Sequence, residues 1–392
     1  MINESELKPF SRIDLALRNI KQFFNQDLSA VLLRPFVAIA IFFMLGKLFY
    51  SVVYLTMLKK HMIDTDLLHN ICHWDCDWYK SIIYHGYDQS TEVRHNEFFA
   101  GQFNWPFFPL FPLLAKGLIA VFKTEWSVLV FNQILLFSSM LLLYNYAQKQ
   151  YTPKTALMAA CLLGISCENI YIFTFYTESL FLFLSLSVLY YLIRERYILA
   201  ALCCGLLSAT RIQGCIMVIP LLYEYWKNQQ YSLSVKNVSS ILLLGLLSLS
   251  GLLLFMVYLK ILTNDFLMFY HIQVAWGRFH QSWWNPIKAL MSLKAKGINK
   301  IFPVLSLCVI YFFYKHKKIK ELLFFSLCFL LPIMSQNLMG YTRYFFANYA
   351  SYLFLAHYGT VNKRRFYGIL FFTIVLNLVF TYRWLLGKAS VI

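Results

Sequence analysis

Long apolar runs divided by short charged connectors set the pattern of this chain. The first run begins at Pro35 and continues for about 20 residues, the length that a bilayer's hydrocarbon core asks of a helix. Further runs cover 126–147, 155–174 and 180–193. The stretch 197–226 differs: its 30 residues would make one helix about 45 Å long against a core of about 30 Å. Arg211 stands at its middle, in Thr210-Arg211-Ile212-Gln213-Gly214. A charge at mid-membrane is expensive, so the pattern predicts two short helices meeting at Arg211, with the guanidinium at the outer side or in a cavity. Downstream runs bring the expectation to about eleven membrane segments in an all-α polytopic protein.

Charge placement orients those segments. Lys8, Arg12, Arg18, Lys21 and Arg34 put residues 1–34 in the cytoplasm. With the split at Arg211, the dense connectors Lys315-His316-Lys317-Lys318-Ile319-Lys320 and Asn362-Lys363-Arg364-Arg365 also fall inside. Two long connections, 56–125 and 262–299, then lie outside, as does the C-terminus. Residues 1–34 have no continuous apolar core, so no cleavable signal peptide is expected and the first span serves as its own insertion signal.

Composition narrows the class. With 59% apolar and only 14% charged residues, 37 Phe and 27 Tyr, the chain is no soluble globule. Its net charge of +17 comes from the connectors and reads as topology-setting charge with a pull toward anionic lipid, not as a nucleic-acid footprint. Of nine cysteines, only Cys72 and Cys76 lie in a loop. They are expected to be free thiols, although an extracytoplasmic loop would permit a local disulfide.

Candidate chemistry sits in the first loop. Trp74-Asp75-Cys76-Asp77-Trp78-Tyr79 places two carboxylates two residues apart among aromatic rings, directly after the first span. Partial desolvation there would tune a carboxylate toward general-base work, whereas an aromatic belt with solvated acids is the plainer reading. Pro106, Pro109 and Pro112 in Asn104–Pro112 argue against a regular helix and for an aromatic segment lying in the interface. With the parity above, Asp75, Asp77, Glu178, Arg211, Gln273-Val274-Ala275-Trp276-Gly277-Arg278 and Tyr341-Thr342-Arg343-Tyr344 all collect on the far face. Each has a plainer role: a helix cap for Glu178, a snorkelling cation for each arginine. Trp283 and Trp284 read as interface anchors. No sequence-level repeat, Gly-rich phosphate loop, metal-ligand spacing or Ser/His/Asp motif is present, so no metal is expected.

Six segments together resemble the PIG-V-like mannosyltransferases, membrane glycosyltransferases of the GT-C class. They are Trp74-Asp75-x-x-Trp78-Tyr79 with Gly86-Tyr87, Phe107 to Leu114, Tyr176-Thr177-Glu178-Ser179, Ala209-Thr210-Arg211 with Gly214, Gln273-x-x-Trp276-Gly277-Arg278, and Arg343-Tyr344. The resemblance implies a GT-C fold and an extracytoplasmic active site in loop 56–125. It also implies transfer of a sugar, mannose by analogy, from a polyprenyl-phosphate donor to an acceptor hydroxyl of a glycan, lipid or protein. In that scheme Asp75 is the base of an inverting transfer and Asp77 a possible second acid. Arg211, Arg343 and Arg278 are candidates for the donor phosphate, since a planar fork matches phosphate oxygens. Trp74, Tyr79, Glu178, Gln273 and Trp276 are candidates for sugar or acceptor contacts. Two departures from the pattern stand out: the second acid, Asp77, leaves open which carboxylate is the base, and a chain shorter than the eukaryotic members suggests a bacterial inner-membrane protein facing the periplasm. A broken helix with a mid-membrane charge is also how carriers build substrate sites, so a lipid or sugar flippase is the competing class.

The topology is testable by single-cysteine labelling from outside. Positions near 77, 177, 277 and 341 are expected to react, and those near 195, 318 and 364 to be spared. Labelling at 318 would overturn the arrangement.

Overall fold

The computed structural model describes residues 35–89, 101–278, 301–335 and 340–388. The basic segment 1–34, Trp283, Trp284 and the rest of 279–299 lie outside the described residues. Everything described is helix or connection. The first span is α1 (Pro35–Lys59), and the loop behind it folds as α2 (Leu67–Ile71), α3 (Asp75–His85) and α4 (Leu110–Phe122). Next come α5 (Trp126–Ala147), α6 (Pro153–Ile165), the single turn α7 (Asn169–Ile172) and α8 (Glu178–Leu192). The long central run becomes α9 (Tyr197–Ser208), α10 (Ile212–Cys215) and α11 (Val218–Asn228). It leads to α12 (Val235–Thr263), α13 (Met268–His271) and a 3-10 turn at Ile272–Trp276. The bundle closes with α14 (Ile301–Lys315), α15 (Ile319–Met334), α16 (Tyr341–Phe346), α17 (Tyr349–Thr360) and α18 (Lys363–Leu385).

Among the described residues α1, α5, α12 and α18 are each long and apolar enough to cross a bilayer, and shorter apolar helices fill the space between them. The chain is a multi-pass membrane protein. Its central run does break at Arg211, as length and charge require. Gly214 lets the chain fold back there, since a Cβ on it would lie 2.1 Å from the Leu207 carbonyl oxygen. No other residue fits that approach.

Two expectations change. The run 155–174 is not one span: α6 stops at Ile165 and the chain turns through Ser166–Glu168 into α7. Carbonyls freed by such a break have no water to turn to inside a membrane protein. Side chains take its place here. Asn169 Nδ2 donates to the Gly164 and Ser166 carbonyls at 3.0 and 2.9 Å, and Asn377 Nδ2 reaches from α18 to those of Ile165 and Ser166 at 2.9 and 2.7 Å. Lys47 of α1 donates to Asn169 Oδ1 at 3.2 Å and so orients that amide.

The proline-rich segment, too, does not lie flat in an interface. Trp105, Phe107, Phe108 and Phe111 are buried, with Phe108 packed on Phe255 of α12 and Phe269 of α13. Pro106 and Pro109 keep the chain irregular up to Leu110, but Pro112 sits in the first turn of α4. A first-turn N–H has no intrahelical partner, so its loss there is tolerated.

Asn377→Leu keeps the volume and removes both donors to the break. Ser166 keeps the Asn169 donor, but the Ile165 carbonyl loses its partner; one buried carbonyl left unpaired costs about 1–3 kcal/mol, so thermal unfolding in detergent is expected at a lower temperature than for the wild type. An unchanged melting temperature would show that the break does not depend on this amide.

Candidate functional site

Asp75 opens α3 on a turn held from several sides. Trp74, just before it, has φ 52° and ψ −108°, a left-handed backbone that a bulky residue adopts only under constraint. The constraints are visible. The Tyr176 hydroxyl donates to the His73 carbonyl at 3.0 Å and accepts from the Asp75 N–H at 3.2 Å. Trp384 Nε1 donates to the Ile71 carbonyl at 3.0 Å, while its ring lies edge-on to Trp74 and Tyr176.

Cys72 and Cys76 form a disulfide across the same turn, which corrects the free-thiol expectation. The step from α2 into α3 brings their Cα atoms to 5.3 Å, inside bridging range.

Two residues along a helix is roughly 200° of rotation. Asp75 therefore faces the bundle while Asp77 is exposed on the other side of α3. The structure separates the two acids, and only Asp75 joins the cluster that follows.

That cluster is built on Glu178, the first residue of α8, whose side chain is fully buried. Its Oε1 accepts from Arg211 Nη1 at 2.6 Å and from Arg343 Nη2 and Nε at 2.6 and 2.9 Å. Arg343 Nη1 continues to Asp75 Oδ2 at 2.6 Å. The Arg343 guanidinium also lies over the rings of Tyr176 and Tyr171 at 4.7 and 5.0 Å, and Arg211 lies 5.7 Å over Phe181. Two cations and two carboxylates from four connections thus form one dry network, with Asp75 at its more open end: 27% of that side chain is exposed, against 10% for Arg343. Glu178 Oε2 is buried without a partner.

The other candidates ring this network. Tyr79 is buried one turn beyond Asp75, edge-on to Phe107 and Phe111. Burial raises its phenol's pKa. Arg278 follows Gly277, whose φ of 67° ends the 3-10 turn, and it donates to the Tyr344 hydroxyl. Burial alone would raise the Tyr344 phenol. The guanidinium charges of Arg278, Arg211 and Arg343 outweigh it and hold that phenol below its ordinary value. Trp276 packs edge-on to Trp78 and Phe107, with its indole N–H buried and unpartnered. Gln273 stays outside the network; its amide reaches the Phe269 carbonyl of its own segment at 3.5 Å.

Three residues escaped the sequence reading. Glu168, 1% exposed, lies in the broken turn after α6, within the field of Arg343 and Arg211, and its Oε1 has no partner. An acid interrupting an apolar run was a signal that could have found it. Gln213 and Asn348 carried none, yet with Phe181, Arg211 and Tyr344 they line a small cavity beside the network, with room for about one water molecule. Among the described residues no group of His, Cys, Asp and Glu has metal-site geometry.

No family model matches the chain, and no curated protein does. Among solved structures it aligns with a crystal structure of the Archaeoglobus fulgidus oligosaccharyltransferase tethered to an acceptor peptide containing the NVT sequon through a disulfide bond. That alignment has 12% identity over 88% of this chain and 55% of the other, with a TM-score of 0.47. It also aligns with the archaeal oligosaccharyltransferase AglB from Archaeoglobus fulgidus in complex with an inhibitory peptide and a dolichol-phosphate, at 13% identity over 88% and 56% of the two chains and a TM-score of 0.46. The chain spans about half the length of these proteins.

Removing one member of a buried ion network strands the others at a cost of about 3–5 kcal/mol. Glu178→Ala leaves two buried guanidiniums facing each other and is expected to lower the melting temperature in detergent far more than Asp75→Ala, which empties the more open end. Equal shifts would contradict the assignment of Glu178 as the hub.

Proposed function

We propose that this chain is an integral-membrane glycosyltransferase of the GT-C type, similar to the PIG-V-like mannosyltransferases. It moves a sugar, mannose by that resemblance, from a polyprenyl-phosphate donor to an acceptor hydroxyl with inversion. The observation that carries this reading is the meeting of Asp75, Glu178, Arg211 and Arg343, four residues from separate motif segments, in one network. The resemblance rests on those same segments. A disulfide beside Asp75 suits an oxidising compartment and so supports an extracytoplasmic, periplasmic site. On that reading 56–125 and 262–299 face outside and 1–34 inside.

Roles follow from which donors are engaged. Arg343 spends Nε, Nη1 and Nη2 on Glu178 and Asp75, so it positions the carboxylate rather than binding phosphate. Arg211 gives Glu178 one of its five N–H donors and keeps the rest for the donor phosphate, with Arg278 beside it. With Oδ2 of Asp75 held, Oδ1 is left to take the acceptor proton as the hydroxyl attacks the anomeric carbon. Phosphate gains charge as the glycosidic bond breaks, so a fixed guanidinium stabilises the transition state more than the ground state.

Donor consumption by purified protein tests this, because a flippase moves a lipid-linked sugar without cleaving it. Asp75→Asn is expected to lower turnover by roughly a hundredfold or more with little change in donor affinity. Arg211→Lys should leave a slow enzyme, and Arg211→Met an inactive one. If no polyprenyl-phosphate sugar is consumed the reading fails; if Asp77→Asn is the inactive variant instead, the two acids exchange roles.

A further inference from the structure

One tyrosine reaches Asp75 by two routes. Tyr176 is fully buried and stands two residues before Glu178, at the entrance to α8. By the first route its hydroxyl donates to the His73 carbonyl at 3.0 Å and accepts from the Asp75 N–H at 3.2 Å, so a single oxygen bridges the residues on either side of Trp74. By the second, its ring lies under the Arg343 guanidinium, 4.7 Å from the centroid, and Arg343 Nη1 holds Asp75 Oδ2 at 2.6 Å. The hydroxyl locates the Asp75 main chain, and the ring helps locate the cation that the carboxylate meets.

Spacing makes the two routes one device. Glu178 accepts from Arg343 Nε and Nη2 at 2.9 and 2.6 Å, so Tyr176-Thr177-Glu178 grips that guanidinium both by its face and by its edge. The same three residues thus fix the backbone of Asp75 and the partner of its side chain. The turn has other holds besides the hydroxyl. The His73 carbonyl also accepts the Cys76 N–H at 3.2 Å, the disulfide closes the turn from Cys72 to Cys76, and Trp384 Nε1 donates to the Ile71 carbonyl. What the hydroxyl adds is a grip on the Asp75 N–H itself, next to a Trp74 backbone at φ 52° that an unrestrained chain would leave.

We infer that Tyr176 is a positioning residue for the sugar transfer, keeping the Asp75 carboxylate in register with Arg343. In that step the acceptor oxygen bonds the anomeric carbon, its proton goes to Asp75 Oδ1, and the phosphate leaves with the electron pair of the glycosidic bond. The inference rests on the glycosyltransferase reading above and adds to it a residue that acts through the base.

Tyr176→Phe removes the hydroxyl and keeps the ring under Arg343. The test is consumption of polyprenyl-phosphate mannose by the full chain in detergent, with water as the acceptor hydroxyl. A misplacement of about 1 Å costs on the order of a hundredfold in rate, so turnover is expected to fall by about ten- to a hundredfold. Donor affinity, set at Arg211, should stay within about twofold, which also reports a folded protein. The same substitution in an Asp75→Asn background is expected to lower turnover no further, because residues that act as one unit are not additive. Normal turnover of Tyr176→Phe, a loss of donor affinity in step with turnover, or the full loss repeated in the Asp75→Asn background would each strike the inference while the glycosyltransferase reading stands. If the wild type consumes no donor, that reading falls and the inference with it.

Discussion

One carboxylate oxygen holds this molecule's polar centre together. Glu178 Oε1 receives three N–H groups from two arginines, in a place from which water is excluded. Burying any of these ions alone is costly, and each is tolerable only in the presence of the others. The pairing therefore fixes where α8, α16 and the break between α9 and α10 lie relative to one another. Through the second arm of Arg343 it also fixes Asp75.

The broken helices serve the same centre. A straight helix through 155–174 would leave no turn for Glu168 and Asn169, and a straight helix through 197–226 would hold Arg211 against lipid. Each break exposes backbone groups that the bundle must satisfy. At Ser166 it does so with Asn169 and Asn377, and before Arg211 with the Leu110 N–H, which donates to the Ala209 carbonyl at 3.0 Å. Polar residues that interrupt the apolar runs are thus of two kinds: ions that form the network, and amides that repair the backbone around it.

Constraint is concentrated on one side of the network. The Asp75 turn carries a strained Trp74, a disulfide and the Tyr176 bridge. Beyond Arg211 lies a cavity with an unspent amide donor.

The sequence by itself determined the class and one of the two breaks. Run length and hydropathy require a polytopic helical protein, and 30 residues with a charge at the centre cannot cross as one helix, so the break at Arg211 was legible. Asp75, Glu178, Arg211 and Arg343 were legible as unusual polar residues at the ends of apolar runs. What only the tertiary structure decided is who meets whom. Asp75 and Arg343 are 268 residues apart in the chain, and no local pattern encodes such a pairing. It also separated Asp75 from Asp77, because helical rotation sends neighbours to opposite faces. The disulfide, the second break at Ser166 and the capping of α17 by Asn348 were hidden for one reason. A cysteine pair, an amide and a cap residue look the same in sequence whether or not a distant partner is present to complete them, and only the packed bundle supplies or withholds that partner.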